Sequence, residues 1–146
     1  KYFRKVQSSC GVIRFFYKIL YTMSAQWNHV EISTRCNIGA GLYIGHPFCI
    51  TINPQAVIVE NCNIHKGVTI GQENRGHRKG VPTIGNCVWI GINATIVGKI
   101  SVGDDVLIAP NTYVNCDIPS HSVVFGNPCI IKHRDHATED YINNKI

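Results

Sequence analysis

Three of the seven histidines stand in contexts suited to proton chemistry: His46, His65 and His77. His46 lies between Gly45 and Pro47, and the proline ring stiffens the turn, so that the imidazole would be held at a set angle. An unperturbed imidazole titrates near neutrality, which suits it to accept a hydroxyl proton. A histidine at a turn is otherwise surface decoration. That alternative stands for all three, most strongly for His65, whose position repeats within a rung of the pattern described next. His77 sits in Gln-Glu-Asn-Arg-Gly-His-Arg-Lys-Gly-Val, residues 72 to 81. This stretch is rich in hydrogen-bond donors and glycine, as a binding loop would be, with a plain connector as the alternative.

What must position these residues is a repeat. An aliphatic residue recurs every six positions as Ile32, Ile38, Ile44 and Ile50, resumes after a two-residue slip as Ile52, Ile58, Ile64 and Ile70, and resumes again as Ile84, Ile90, Ile96, Val102, Ile108 and Val114. Glycine follows the aliphatic at Gly39, Gly45, Gly71, Gly85, Gly91 and Gly103, and a smaller apolar residue stands four places after it at Leu42, Cys62, Val68, Val88, Ala94 and Val106. Two inward positions in every six, separated by turn-competent residues, describe a short strand and a corner, and three rungs make a triangular coil. A helix would need apolar spacings of three and four, and a β-sandwich would show turns at longer, looser spacings. Ile70 and Ile84 are fourteen apart where six is due, so residues 72–81 leave the coil as a loop. Such insertions often carry a solenoid's binding face.

Residues before Ile32 follow a different period. Val12, Ile13, Phe16, Ile19, Leu20 and Met23 fall at helical spacings, with Arg14 and Lys18 off the stripe. This predicts one amphipathic helix capping the first coil, since a solenoid end must be covered. Contact of its basic flank with an anionic membrane surface is the weaker alternative. The expected organisation is a helical cap over 1–30, a β-helix over 31–131 carrying the loop 72–81, and a polar tail over 132–146.

The chain has 146 residues, 45% hydrophobic and only 16% charged. One domain suffices at this length, and the low charge argues for apolar surface covered by a partner chain. The formal charge of +5 is dispersed, without the single basic face and stacking aromatics that nucleic-acid binding needs. An anionic small ligand suits the clusters at Arg75, Arg78, Lys79 and at Lys132, Arg134 better, because glycine nearby lets a phosphate approach the backbone. Seven cysteines without a CxxC pair read as reduced, buried residues of a cytoplasmic protein, and no apolar run is long enough to span a membrane.

Several motifs carry a family resemblance: Gly-His at 45 and 46, Gly-Val-Thr-Ile-Gly at 67 to 71, Gly-Val-Pro-Thr-Ile-Gly at 80 to 85, Val-Trp-Ile-Gly at 88 to 91 and Gly-Asn-Pro at 126 to 128. In this order they resemble the serine acetyltransferase family of hexapeptide acyltransferases, especially its short members associated with surface-polysaccharide gene sets. The resemblance runs from about Glu31 to Lys132. It implies an all-β fold, a left-handed parallel β-helix with a short N-terminal helix and a protruding loop. It also implies acetyl transfer from acetyl-CoA to a hydroxyl in a homotrimer with sites between subunits. His46 falls at the family's catalytic histidine and Glu31 at the acidic residue that orients it, where the family usually has Asp. The pantetheine arm is expected near Gly71, Gly91, Ile92, Ala109 and Pro110, and the cofactor phosphates near Lys132 and Arg134.

The serine-specific members carry an acidic residue before the catalytic histidine and an Arg-His pair before the loop proline. Here Gly45, Gly80 and Val81 stand in those places. A serine zwitterion would then need its partners from His77, Arg78 and Lys79, and a sugar hydroxyl is the favoured acceptor over L-serine. Two other readings keep the fold: a carbonic-anhydrase-like enzyme holding a metal through histidines, and a scaffold without catalysis. The acetyltransferase reading requires no metal.

Overall fold

A rung of six residues buries too little to be stable alone, so its backbone and aliphatic side chains must find the next coil. The computed structural model describes residues 2–143 and 145–146; Lys1 of the expected cap and Asn144 of the expected tail lie outside them. The chain forms a left-handed parallel β-helix of about five turns, preceded by two helices.

Three parallel sheets form the faces. Face 1 holds β1 (Val30–Ile32), β4 (Ile50–Ile52), β7 (Thr69–Gly71), β10 (Thr95–Val97) and β13 (Tyr113–Val114). Face 2 holds β2 (Asn37–Ile38), β5 (Val57–Ile58), β8 (Thr83–Ile84) and β11 (Ser101–Val102). Face 3 holds β3 (Tyr43–Gly45), β6 (Asn63–His65), β9 (Val88–Ile90), β12 (Val106–Ile108) and β14 (Ser122–Phe125), closed by an antiparallel β15 (Ile130–His133). Each face contributes one file of inward aliphatics, such as Ile52, Ile70, Ile96 and Val114 on face 1 and Ile64, Ile90, Ile108 and Val124 on face 3, all buried. Two of the three edges turn through left-handed residues: Gly41, Asn61, Cys87, Asp105 and His121, one per coil, between faces 2 and 3, and Gly67, Asn93 and Asn111 between faces 3 and 1, whose first corner has two, His46 and Cys49. Asparagine and aspartate tolerate that conformation best after glycine.

The N-terminal cap differs from the expected single helix. It is two helices, α1 (Tyr2–Ser8) and α2 (Gly11–Trp27). The apolar stripe of α2 points outward, with Val12 85% and Met23 63% exposed. The reason lies in what a coil edge presents, namely unpaired carbonyls that need donors. Arg4 donates to the carbonyls of Ile38 and Gly39, Gln7 to those of Thr34 and Cys36, and the Tyr21 hydroxyl to that of Ile32. Burial pushes the Tyr21 hydroxyl up to about 12, with the nearby Cys36 adding to the shift, so it stays a donor. Val6 and Phe3 supply the apolar part of the cap. Among the described residues no helix is long and apolar enough to cross a membrane.

The polar segment after β15 folds back along face 3. Asp105 accepts the Thr138 hydroxyl at 2.7 Å and the backbone N–H groups of Ala137 and Thr138 at 3.0 Å, and it pairs with His121 at 2.9 Å. The Asn63 amide donates to the Tyr141 carbonyl, and the Tyr141 ring packs on Trp89. Hydropathy does not reveal this strap, because hydrogen bonds fasten it.

Partial burial raises the Asp105 carboxyl, but the hydrogen bonds from Thr138, His121 and Ala137 outweigh it and hold the group at about 2. A carboxylate depressed in the fold stabilises it above the ordinary value of 3.8, and that contribution disappears as pH falls through about 2. Its size is on the order of 2 kcal/mol. Asp105→Asn should therefore release residues 134–146 at neutral pH to the degree that acid releases them in the unaltered chain. Amide exchange of Ala137 and Thr138 from pH 7 down to pH 2 measures this.

Candidate active site

His46 sits on the edge between faces 3 and 1, directly after β3. That edge is longer here than in any later coil. Gly45 pairs with His65 and Thr51 with Thr69, so six steps of chain lie opposite four. The two-residue slip in the repeat is this corner. His46 and Cys49 take left-handed backbone to accommodate it, with φ of 54° and 52°, and the His46 side chain is exposed.

A file in which glycine and alanine sit between two rings rises from His46 along face 3. The register sets Gly45 beside His65, His65 beside Gly91 through the Ile64–Ile90 pair, and Gly91 beside Ala109 through the Ile90–Ile108 pair. Phe125 follows, with the Lys132 ammonium 5.8 Å from its ring centroid. Ile92 and Pro110 stand next to this file at the same edge. Four steps of about 4.8 Å give a track of about 19 Å. Gly91 is needed on packing grounds too, because a β-carbon there would stand 2.6 Å from the Pro110 nitrogen and 2.9 Å from the Ile108 carbonyl oxygen. Arg134 is exposed beyond β15, its backbone N–H bonded to the His121 carbonyl.

Other expected site residues lie on a different edge. Gly71 ends β7 between faces 1 and 2, and the loop 72–81 leaves from there. The loop folds on itself through backbone bonds between Glu73 and Gly80 and returns to the coil where the Lys99 N–H meets the Arg78 carbonyl at 2.8 Å. Within it the Arg78 guanidinium donates to His77 Nε2 at 3.2 Å, while His77 and Lys79 are exposed. Glu31 is in β1 on face 1, lining a groove of about 840 Å³ with Thr51, Asn53 and Gly71. One chain thus carries His46 and the file rising from it on one edge and Gly71 with the loop on another, while Glu31, in register with Thr51, lies on face 1 between them. Among the described residues, the imidazole–carboxylate pairs within 4 Å are His121–Asp105 and His133–Asp135. Glu31 and His46 are not joined within one chain. Nor do His46, His65 and His77 meet, since His77 belongs to the other edge.

His65 is the residue that sequence reasoning undervalued. Its ring lies against Gly45, and a β-carbon at 45 would stand 2.6 Å from His65 Nδ1 and 2.7 Å from Cε1. The ring packs on Trp89 at 4.7 Å between centroids, and its Nε2 is buried with no hydrogen-bond partner. Burial, and then the nearby His46, lower its pKa, so the ring is neutral near pH 7. The available signal was the twenty-residue offset from Gly45, a glycine in a place where the resembling family carries an acid.

Residues 82–116 match a family model described as bacterial transferase hexapeptide, six repeats. The serine acetyltransferase of Synechococcus elongatus is 30% identical over 127 residues, covering 87% of this chain and 52% of that protein. A solved soybean serine acetyltransferase complexed with serine aligns with a TM-score of 0.71 at 29% identity, over 83% of this chain and 50% of that one. The Brucella abortus serine acetyltransferase in complex with coenzyme A gives a TM-score of 0.73 at 29% identity, over 84% and 49%. The chain spans about half the length of these relatives.

Gly91→Ala forces backbone to move in the neighbouring coil, which costs about 1–3 kcal/mol. A thermal melt should show a drop of several degrees, while Gly71→Ala, where φ is not positive and an added β-carbon would meet only the Val97 Cγ1 at 3.3 Å and the Thr69 Cγ2 at 3.7 Å, should cost less.

Proposed function

We propose that this chain, similar over most of its length to serine acetyltransferases and carrying the hexapeptide repeat, transfers acetyl from acetyl-CoA to the hydroxyl of a small acceptor, a sugar or L-serine. The observation that carries this reading is the exposed His46 on its lengthened corner, at the foot of a track that runs past His65, Gly91 and Ala109 to Phe125 and Lys132. Relatives with serine and with coenzyme A bound support both substrate classes.

His46 accepts the proton of the acceptor hydroxyl, and the oxygen attacks the thioester carbonyl. A backbone amide or a donor from the loop 72–81 steadies the oxyanion. The imidazolium then returns the proton to the departing thiolate, so the acetyl ester and free CoA leave with all atoms balanced. Glu31 stabilises the imidazolium through its ring N–H. The extended pantetheine arm lies along Gly91, Ile92, Ala109 and Pro110, where strand-like backbone can pair with its amides. Lys132 and Arg134 take the phosphates. His77, Arg78 and Lys79 meet the acceptor, and no step calls for a metal.

His46 on one edge and the loop 72–81 on another fit a closed homotrimer, in which the face of one protomer that carries Glu31 and ends at Gly71 meets the His46 edge of the next. A cytoplasmic location suits acetyl-CoA and the seven free thiols.

His46→Ala should lower acetyl-CoA turnover on hydroxyl acceptors by about a hundredfold or more, the scale of a lost general base. CoA release followed with a thiol reagent measures it, and a smaller loss removes His46 from the role. Glu31→Gln tests the assembly. Mixed with His46→Ala chains and reassembled, it should recover about a quarter of full activity if the pair spans two protomers of a random trimer. No recovery assigns both residues to one chain.

A further inference from the structure

We propose that His65 sets the acceptor specificity of the site: by filling the space that a side chain at position 45 would use beside His46, it selects a neutral polyhydroxyl acceptor, a sugar, over an amino-acid zwitterion. This rests on the acetyl-transfer reading and names its acceptor class.

The space is filled from the next coil, not from position 45. The His65 ring reaches down to Gly45, with Nδ1 and Cε1 where a β-carbon would stand. No acidic side chain can therefore be carried at 45 while His65 holds its place. Trp89 fixes the ring from one side at 4.7 Å, and the Trp89 indole is held in turn by Tyr141 of the strap at 5.0 Å between centroids. Nε2 is enclosed without an oxygen or nitrogen to meet. In the tautomer that carries its hydrogen on the enclosed Nε2, Nδ1, beside Gly45, is left as an acceptor.

An uncharged nitrogen acceptor next to His46 suits a hydroxyl. It does not compensate an ammonium taken out of water, which needs a formal negative charge. Burial and His46 both oppose protonation of His65, so the ring offers no cation to a carboxylate either. The neutral ring thus penalises both ends of a zwitterion, whereas a sugar hydroxyl beside the reacting one finds a partner. Discrimination by leaving a polar group unpaired is the strong kind.

The test compares kcat/KM for methyl hexopyranosides and for L-serine, with acetyl-CoA as donor, in the unaltered chain and in Gly45→Asp, His65→Leu, His65→Asn and Gly45→Asp/His65→Leu. The unaltered chain should favour a sugar by at least about tenfold, and His65→Leu should move the ratio by about tenfold toward serine. His65→Asn keeps a polar group near Nδ1 and should hold the preference. Gly45→Asp alone should lose activity on both acceptors, because the ring blocks the carboxylate; the double variant, with the ring gone, should recover turnover with serine preferred. CoA-induced thermal shifts confirm that each variant is folded. Preference of the unaltered chain for L-serine, or a ratio unmoved by His65→Leu in a folded protein, overturns the inference while leaving acetyl transfer standing. A chain that acetylates no hydroxyl compound overturns both.

Discussion

Stacking in register is the constraint on which everything else rests. Thr83 faces Ser101 and Val88 faces Val106, each eighteen residues on, so one coil is three rungs of six. Every coil takes its backbone partners from the coil on either side and adds one aliphatic to each of three files. A slip of one residue would turn a whole file outward, and so the register is strongly specified by the isoleucines. The ends are the weak places, because there carbonyls and amides lose their neighbours. At the first coil Arg4, Gln7 and Tyr21 replace the missing strand, and at the last β15 does so by pairing antiparallel with β14.

The fold was readable because burial here follows a period, and a period survives in sequence. Ile58, Ile64 and Ile70 announce their place by spacing alone, and the structure buries all three. The helix was legible as a helix but not in its orientation. Its stripe of Val12, Phe16, Ile19 and Met23 predicts burial, whereas the coil edge needed hydrogen-bond donors and took the polar and aromatic side chains instead. The strap was illegible for a related reason. Besides the isolated apolar residues Ala137, Tyr141 and Ile142, its anchors are a carboxylate, a hydroxyl and backbone amides, and hydropathy carries no information on whether such groups meet each other or water.

The arrangement of the expected site residues was not legible. The fold sets His46, Gly91, Ile92, Ala109 and Pro110 along one edge. Gly71 and the loop share another edge, and spacing could not distinguish the two, because the repeat looks alike at every corner. His65 shows the cost of judging residues one at a time. Its position within the rung is ordinary, and only the neighbour twenty residues earlier, which has no side chain, makes its ring part of the site.

The interruptions of the repeat explain why function sits where it does. Offsets along the ladder are eighteen except for pairs that span the His46 corner, at twenty (Val30–Ile50, Asn37–Val57, Gly45–His65), pairs that span the loop, at twenty-six (Val57–Thr83, Asn63–Trp89, Thr69–Thr95), and the closing coil, at sixteen (Val102–Ile118, Val106–Ser122). An insertion within a strand would break the files, so added residues collect at corners, where they reshape an edge and leave the core intact. The first insertion carries His46 and the second carries His77, Arg78 and Lys79. They occupy different edges of the prism, which a single chain cannot bring face to face without unwinding its own coils. Copies placed side by side can do so by contact alone, and the lengthened corner of one chain and the protruding loop of another then become the two walls of one cleft. The proposed assembly answers to that geometry, since the rigidity that makes the coil stable also holds its two reshaped edges apart.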